Sequence, residues 1–258
     1  MSQSTINFAT APGHQVMAAA GKKILRPGGK VATEQLFHWA QFQPGETVLE
    51  LAASFGNSAI ALTKQYGVRV VGIEKNPESV ARARANIQAA GLEEQVQVIE
   101  GDIFHLEQIP GQFDYVLAEA ILTIQSASGK AKILQGICDR LKPRGKFLSH
   151  ELRVNDREDE IHRALAAAIR VNSTPLSETN WIATCQTAGL QVLNHQTGVM
   201  GLLNPARVIQ DEGLIDASKF FWNVLTRPQL RDRLLTMRQV FKQYEHELGY
   251  LILCAEQN

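Results

Sequence analysis

Glu50, Glu74, Asp102, Glu119 and His150 each stand at or beside the end of a short apolar run. Ligands of open parallel sheets bind beyond the carboxyl ends of the strands, so these side chains would share one cleft. After Glu50 comes Ala52-Ala53-Ser54-Phe55-Gly56-Asn57. Small residues there let the backbone approach a ligand, and a helix starting at Asn57 would offer free amide groups. Glu74 lies 18 residues after Gly56, where an acid in a nucleoside-binding fold accepts hydrogen bonds from ribose hydroxyls. Asp102 can accept from an exocyclic amine or cap the short helix at 103–107, and Ile103 can pack on an aromatic ring. His150 is either a hydrogen-bonded structural histidine or a base. His14, after Pro12-Gly13, offers a second imidazole in a loop-like segment.

The elements that must position these groups alternate from residue 44 onward. Strands are expected at 47–51, 69–74, 96–100, 113–118 and 146–152, because each is short, apolar and rich in β-branched residues. Helices are expected at 57–66, 76–90 and 127–141. Asn76-Pro77 is a start signal and Gly91 a stop. Repeated strand–helix–strand units with strongly apolar strands imply a parallel sheet covered on both faces. Beyond strand five the order changes. Helices are expected at 156–171, with Asp156 as cap, and at 177–188; 190–203 reads as extended, 204–246 as helical and 249–255 as a last strand. Upstream, Arg26-Pro27-Gly28-Gly29 precedes a helix at 31–40 and could fold over the cleft.

Composition narrows the function classes. The chain has 258 residues, long enough to bury a large core without a disulfide or metal staple. Lys plus Arg is 26 and Asp plus Glu is 26, which argues against a nucleic-acid partner held by counterion release. No apolar run reaches membrane-spanning length, so no membrane partner is expected. Cys138, Cys185 and Cys254 are scattered, with no zinc-ligand spacing. No metal site is expected, and a reducing cytoplasm fits. Oligomeric state is not legible.

Five stretches in order carry a resemblance: Val48-Leu49-Glu50-Leu51-Ala52, Val71-Gly72-Ile73-Glu74, Gly101-Asp102, Phe113-Asp114-Tyr115-Val116 and Leu141-Lys142-Pro143-Arg144-Gly145. Together they resemble the core of the class I S-adenosylmethionine-dependent methyltransferases of small-molecule type. Trp181 to Leu190 and Leu248 to Ala255 resemble that family's helix before strand six and its antiparallel seventh strand. The resemblance implies an α/β fold: a three-layer, Rossmann-like, seven-stranded, mostly parallel sheet with an antiparallel last strand and helical cap insertions. It also implies a single domain, with an N-terminal cap at 1–43, a cofactor core at 44–154, helices at 155–187, and C-terminal strands at 188–258 carrying a helical insert at 204–246. One departure stands out: Ala52 and Ser54 occupy positions where the family usually has glycine, and Gly56 alone remains.

By the same resemblance the cofactor is S-adenosyl-L-methionine. Glu50 and the Ala52, Ser54, Gly56 loop with Asn57 would face its methionine part. Glu74, with Lys75 beside it, would hold the ribose. Asp102 and Ile103 would frame the adenine, while Glu119 and Ala120 would line the floor near the methyl. Glu119, His150 and His14 are the candidate catalytic bases for a small-molecule acceptor. Phe220, Phe221 and Trp222 could add apolar contacts to it, and Arg227, Arg231, Arg238 and Lys242 form a basic helix face. A nicotinamide-dependent oxidoreductase is the rival enzyme, although Ala52 and Ser54 break its GxGxxG loop. A non-catalytic binding protein that kept the fold is the third possibility.

Overall fold

The computed structural model describes residues 7–257; the first six residues of the expected N-terminal cap and residue 258 lie outside them. Five strands run parallel as expected: β1 (Thr47–Leu51), β2 (Arg69–Glu74), β3 (Val96–Glu100), β4 (Phe113–Glu119) and β5 (Leu141–Val154). β6 (Leu190–Val199) and β7 (Leu248–Gln257) complete the sheet, and β7 lies antiparallel between β5 and β6. The order is β3-β2-β1-β4-β5-β7-β6. It reverses direction between β1 and β4, which opens a crevice at their carboxyl ends.

Period-two alternation sends neighbouring side chains to opposite faces. Val48, Tyr115 and Leu117 join one buried cluster, under α2 (Gly29–Ala40), α3 (Asn57–Tyr66) and α4 (Pro77–Ala90). Leu49, Leu51 and Val116 join the other, under α5 (Ala127–Arg140) and α7 (Glu178–Thr187). A third cluster ties α1 (Gly13–Ala20) to α6 (Glu158–Ile169), α8 (Pro205–Thr226) and α9 (Pro228–Gln243). The α9 stripe Leu230, Leu234, Met237 and Phe241, continued by Tyr244, is buried in it, as helical spacing requires.

Local chemistry sets the ends. Asn76 caps α4 by accepting from the Ser79 amide at 3.0 Å, with Pro77 at the first helical position and left-handed Gly91 at the stop. Several expectations need correction. Asp156 does not cap α6; the cap position is Arg157 at φ +57°, and the Asp156 carboxylate bonds the Arg157 amide instead. The Lys142–Gly145 turn is absorbed into β5 as a bulge opposite Phe113–Tyr115. The 204–246 segment is helical as expected, but divided. α8 breaks at Gly213 (φ 77°, ψ 165°), and Arg227 leaves helical dihedrals before Pro228 starts α9. His14 is not in a loop but in the first turn of α1.

One buried cation stitches the far side of the cleft. Lys130 is 1% exposed, and its ammonium donates to Gln125 O (2.6 Å), Thr174 O (2.8 Å) and Thr174 Oγ1 (2.6 Å). Burial pushes its pKa down to about 8, with Glu151 opposing. Lys130→Met removes all three donations and leaves the acceptors desolvated, so it should lower stability by about 2–4 kcal/mol. Urea unfolding at pH 7 measures this, and a variant within about 0.5 kcal/mol of wild type, the scatter of surface substitutions, refutes it.

Candidate active site

The first loop keeps the expected backbone despite its missing glycines. Ala52 (φ 55°), Ser54 (φ 50°) and Gly56 (φ 73°) all adopt left-handed dihedrals. A residue with a Cβ pays roughly 1–2 kcal/mol for that conformation, and local packing holds it there. Gly72 in β2 is what makes room, since a Cβ on it would stand 2.6 Å from the Ala53 Cβ. The Ala53 amide donates to Ile73 O (2.9 Å), and the Ser54 amide donates to Glu74 Oε2 (2.9 Å). Glu74 Oε1 accepts from the Asn76 amide (2.9 Å). Glu74 is thereby fixed at the end of β2, each oxygen retaining capacity for a further donor.

Asp102 caps the 3-10 turn at Ile103–Gln108 by accepting from the Phe104 amide (3.0 Å), and its other oxygen pairs with Lys75 (2.8 Å). The Lys75 and Phe104 bonds hold this carboxyl below its usual pKa. Capping and facing the cleft are therefore compatible, whereas the Lys75 ammonium is spent on Asp102. Ala120 follows β4 in the left-handed region (φ 55°), its amide donating to His150 O at 2.8 Å.

Between these strand ends runs a buried polar chain. The Gly28 amide donates to His150 Nε2 (3.0 Å), which leaves the proton of the neutral ring on Nδ1. Nδ1 lies 3.1 Å from Thr33 Oγ1, and Thr33 donates to Glu119 Oε1 (2.9 Å). Glu119 Oε2 receives Arg26 Nε at 2.8 Å. Arg26 also bonds Ser58 Oγ. His150 is fully buried, and burial holds its pKa down against the pull of Glu119. Burial would raise Glu119, but Arg26, His150 and Thr33 outweigh it and keep that carboxyl below its usual pKa.

Glu50 is the opposite case. Burial, then the Glu119 charge, push its pKa up to about 8, against Arg26, Ser58 and the Ala59 amide. Its Oε2 is buried with no hydrogen-bond partner. A protonated or cation-seeking carboxyl beside a left-handed loop and the free amides of α3 suits a ligand bearing both ammonium and carboxylate groups.

The structure brings Glu50, Ala52, Ser54, Gly56, Asn57, Glu74, Asp102, Ile103, Glu119 and Ala120 to one edge of the sheet. His14, on α1, is exposed. Surrounding protein atoms push its pKa down while the Glu74 charge pushes it up, which places it within reach of the Glu74 carboxylate. Phe220 is buried against α1 and α9, whereas Trp222 is 66% exposed and Phe221 36%, so only Phe220 belongs to the core. Sequence reasoning missed Thr33 and Ser58 and did not single out Arg26. The Arg-Pro-Gly-Gly run before α2 was the available signal. Among the described residues, no three His, Cys, Asp or Glu side chains converge as metal ligands, and no helix is long and apolar enough to cross a membrane.

A seven-stranded sheet with this order, and an acid-lined cleft where the order reverses, define a Rossmann-like nucleotide-binding enzyme fold. The family described as methyltransferase domain matches residues 42–212. The chain belongs to that family and is a class I S-adenosylmethionine-dependent methyltransferase. It is 34% identical to an uncharacterized protein of Haemophilus influenzae, over 95% of this chain and 97% of that one. It is 25% identical to methyltransferase GfsG of Streptomyces halstedii, over 82% and 81%. Its fold matches an S-adenosylmethionine-dependent methyltransferase of Thiobacillus denitrificans solved with S-adenosyl-L-homocysteine, at TM-score 0.68 and 16% identity, covering 95% and 98% of the chains. The cofactor is S-adenosyl-L-methionine, and the unpartnered Glu50 oxygen with the retained left-handed loop fits it.

Proposed function

We propose that the chain moves the methyl group of S-adenosylmethionine to a small-molecule acceptor by in-line displacement. When bound, the cofactor supplies an electrophilic methyl on a sulfonium that departs as a thioether. The protein's part is alignment and exclusion of water. In this reading Glu74 accepts from the ribose hydroxyls, and Asp102 and Ile103 frame the adenine. Glu50 with the 52–56 loop and Asn57 receives the methionine end, and Glu119 with Ala120 forms the floor. The observation that carries it is Glu50 Oε2, buried without a partner, at the end of β1 beside the left-handed loop.

Three residues could take a proton from the acceptor. Both ring nitrogens of His150 face partners, and Glu119 is held charged by Arg26 and Thr33. Those two serve better as positioning groups, and His14 is the base we favour where one is needed. The neutral charge balance supports a small acceptor over nucleic acid, and three free thiols support a reducing cytoplasmic setting. We read the whole chain as one catalytic domain, with 1–43 and 204–246 as its cap.

Calorimetry tests this. S-adenosylmethionine should bind and NAD should not. Glu74→Ala should weaken S-adenosylmethionine by about 1–3 kcal/mol, the scale of lost charged hydrogen bonds. Equal affinity in wild type and variant would show that Glu74 does not hold the ribose. Release of S-adenosylhomocysteine with an acceptor panel reads turnover.

A further inference from the structure

Beyond its break at Gly213, α8 is apolar on two opposite faces. Ala217, Phe220 and Val224 pack inward with α1 and α9. Leu214 (78% exposed), Ile215 (74%), Phe221, Trp222 and Leu225 (67%) point outward. Ser218 stands among them, and steps of three and four residues place all six on one stripe. Other exposed apolar side chains, such as Val31, Leu193 and Leu235, are scattered over other elements, which is ordinary for a protein surface. A helix that is apolar all round is ordinarily enclosed, and among the described residues nothing encloses this one.

The stripe is near-symmetric about Ser218. Leu214 and Trp222 stand four residues to either side of it, Ile215 and Phe221 three. Two such helices related by a two-fold axis through Ser218 run antiparallel. Each copy's Leu214 then meets the other's Trp222, and each Ile215 meets a Phe221. Aliphatic faces aromatic at four points, and the smallest residue of the stripe sits on the axis, where the backbones come closest. A two-fold contact requires this kind of self-complementarity. An open groove beside Trp222, lined by Ser218, Lys219 and Asn223, lies where the facing Leu214 would enter. Side chains this exposed present roughly 500 Å² of apolar surface per copy. Two copies supply about 1,000 Å², the apolar share of a standard interface of about 1,600 Å².

Charge favours a second copy over a lipid surface. Anionic headgroups are drawn by basic residues rimming an apolar face. The rim lysines here are Lys219 and Lys23, the latter from the strap between α1 and α2. Both pair with Asp216, at 3.1 and 2.5 Å. The stripe itself holds no charge, and the two-fold axis puts the two Lys219 side chains on opposite sides. With 26 basic and 26 acidic residues, the chain has no net charge to keep two copies apart.

We propose that the outer face of α8 is the interface of a symmetric dimer, in which two copies pair antiparallel about Ser218. The test is sedimentation of the full chain at micromolar concentrations, where wild type should be dimeric. Leu214→Glu and Trp222→Lys should each raise the dissociation constant by about 30-fold or more, the effect of losing a central anchor. Both positions are exposed, so each variant should melt with wild type. An equimolar mixture of the two variants should recover the dimer, because the pairing sets the new carboxylate of one against the new ammonium of the other. A monomeric wild type overturns the proposal, and its flotation with phosphatidylserine vesicles would assign the face to lipid instead. A dimer that survives either substitution, or a mixture that stays monomeric, overturns it as well. None of these outcomes bears on the methyl-transfer reading.

Discussion

Gly28→Val should lower stability by roughly 2–4 kcal/mol, the cost of overpacking a tight site, and weaken S-adenosylmethionine binding at the same time. Gly28 sits at ordinary helical dihedrals (φ −89°, ψ −2°), so the obstacle is space rather than backbone conformation. A Cβ there would stand 2.6 Å from Ala32 Cβ, 2.8 Å from Tyr250 Cγ and 2.9 Å from His150 Nε2. None of these is the loose end of a flexible side chain: Ala32 and Tyr250 belong to the core under α2, and His150 is fully buried. Relief requires the strap to lift, which breaks the Gly28–His150 bond and withdraws Arg26 from Glu119 and Ser58. Glu119 and Glu50 would then face each other with no cation between them. Thermal or urea unfolding with calorimetry on the same samples checks both effects. A variant that melts with wild type and binds the cofactor equally well would show that the strap tolerates displacement and does not build the site.

Much of the site was legible because strand ends announce themselves. β1 to β4 are short apolar runs with an acid at or beside their carboxyl ends, and parallel topology sends those ends to one edge. Glu50, Glu74, Asp102 and Glu119 needed no tertiary knowledge beyond that rule. What could not be read were partners distant along the chain. Arg26 meets Glu119, and Thr33 meets both Glu119 and His150, across separations that no periodicity encodes. Asp156 looked like a cap because Asp usually is one, but a left-handed Arg157 moved the helix start to Glu158. The break in 204–246 was hidden because a glycine within a helical pattern does not reveal whether it will take φ 77°. Trp222 was ambiguous for a similar reason: an aromatic cluster on a helix is equally consistent with inward and outward faces. The altered first loop was the reverse case. Residues with a Cβ resist left-handed dihedrals, yet Ala52 and Ser54 hold that conformation because Gly72 beneath them and Glu74 beside them fix it.

Glu50→Gln should flatten the fall in stability between pH 5 and pH 9. The Glu50 carboxyl, near 4.5 when unfolded, is pushed up to about 8 by burial and by Glu119. Between those values the folded chain holds a proton that the unfolded chain lacks, so stability declines as pH rises through the window. Glu151 acts in the same direction up to about 7, because burial outweighs its bonds from Thr123, Leu122 and Ile121. Asp102, Asp114 and Glu119 are held below their usual values and act oppositely, losing their contribution as pH falls through their folded pKa. The Gln side chain has the same shape but cannot ionise. Relative to wild type it should therefore gain roughly 3–5 kcal/mol of stability from pH 5 to pH 9, because each tenfold difference in proton affinity between folded and unfolded chains is worth about 1.4 kcal/mol. Urea titrations across that range measure the gap, and a gap independent of pH would mean that Glu50 ionises normally in the folded chain. A cation placed against Oε2 works the other way, favouring the charged carboxylate. S-adenosylmethionine should then release a proton from Glu50 on binding near neutral pH, measurable as a buffer-dependent heat that Glu50→Gln abolishes.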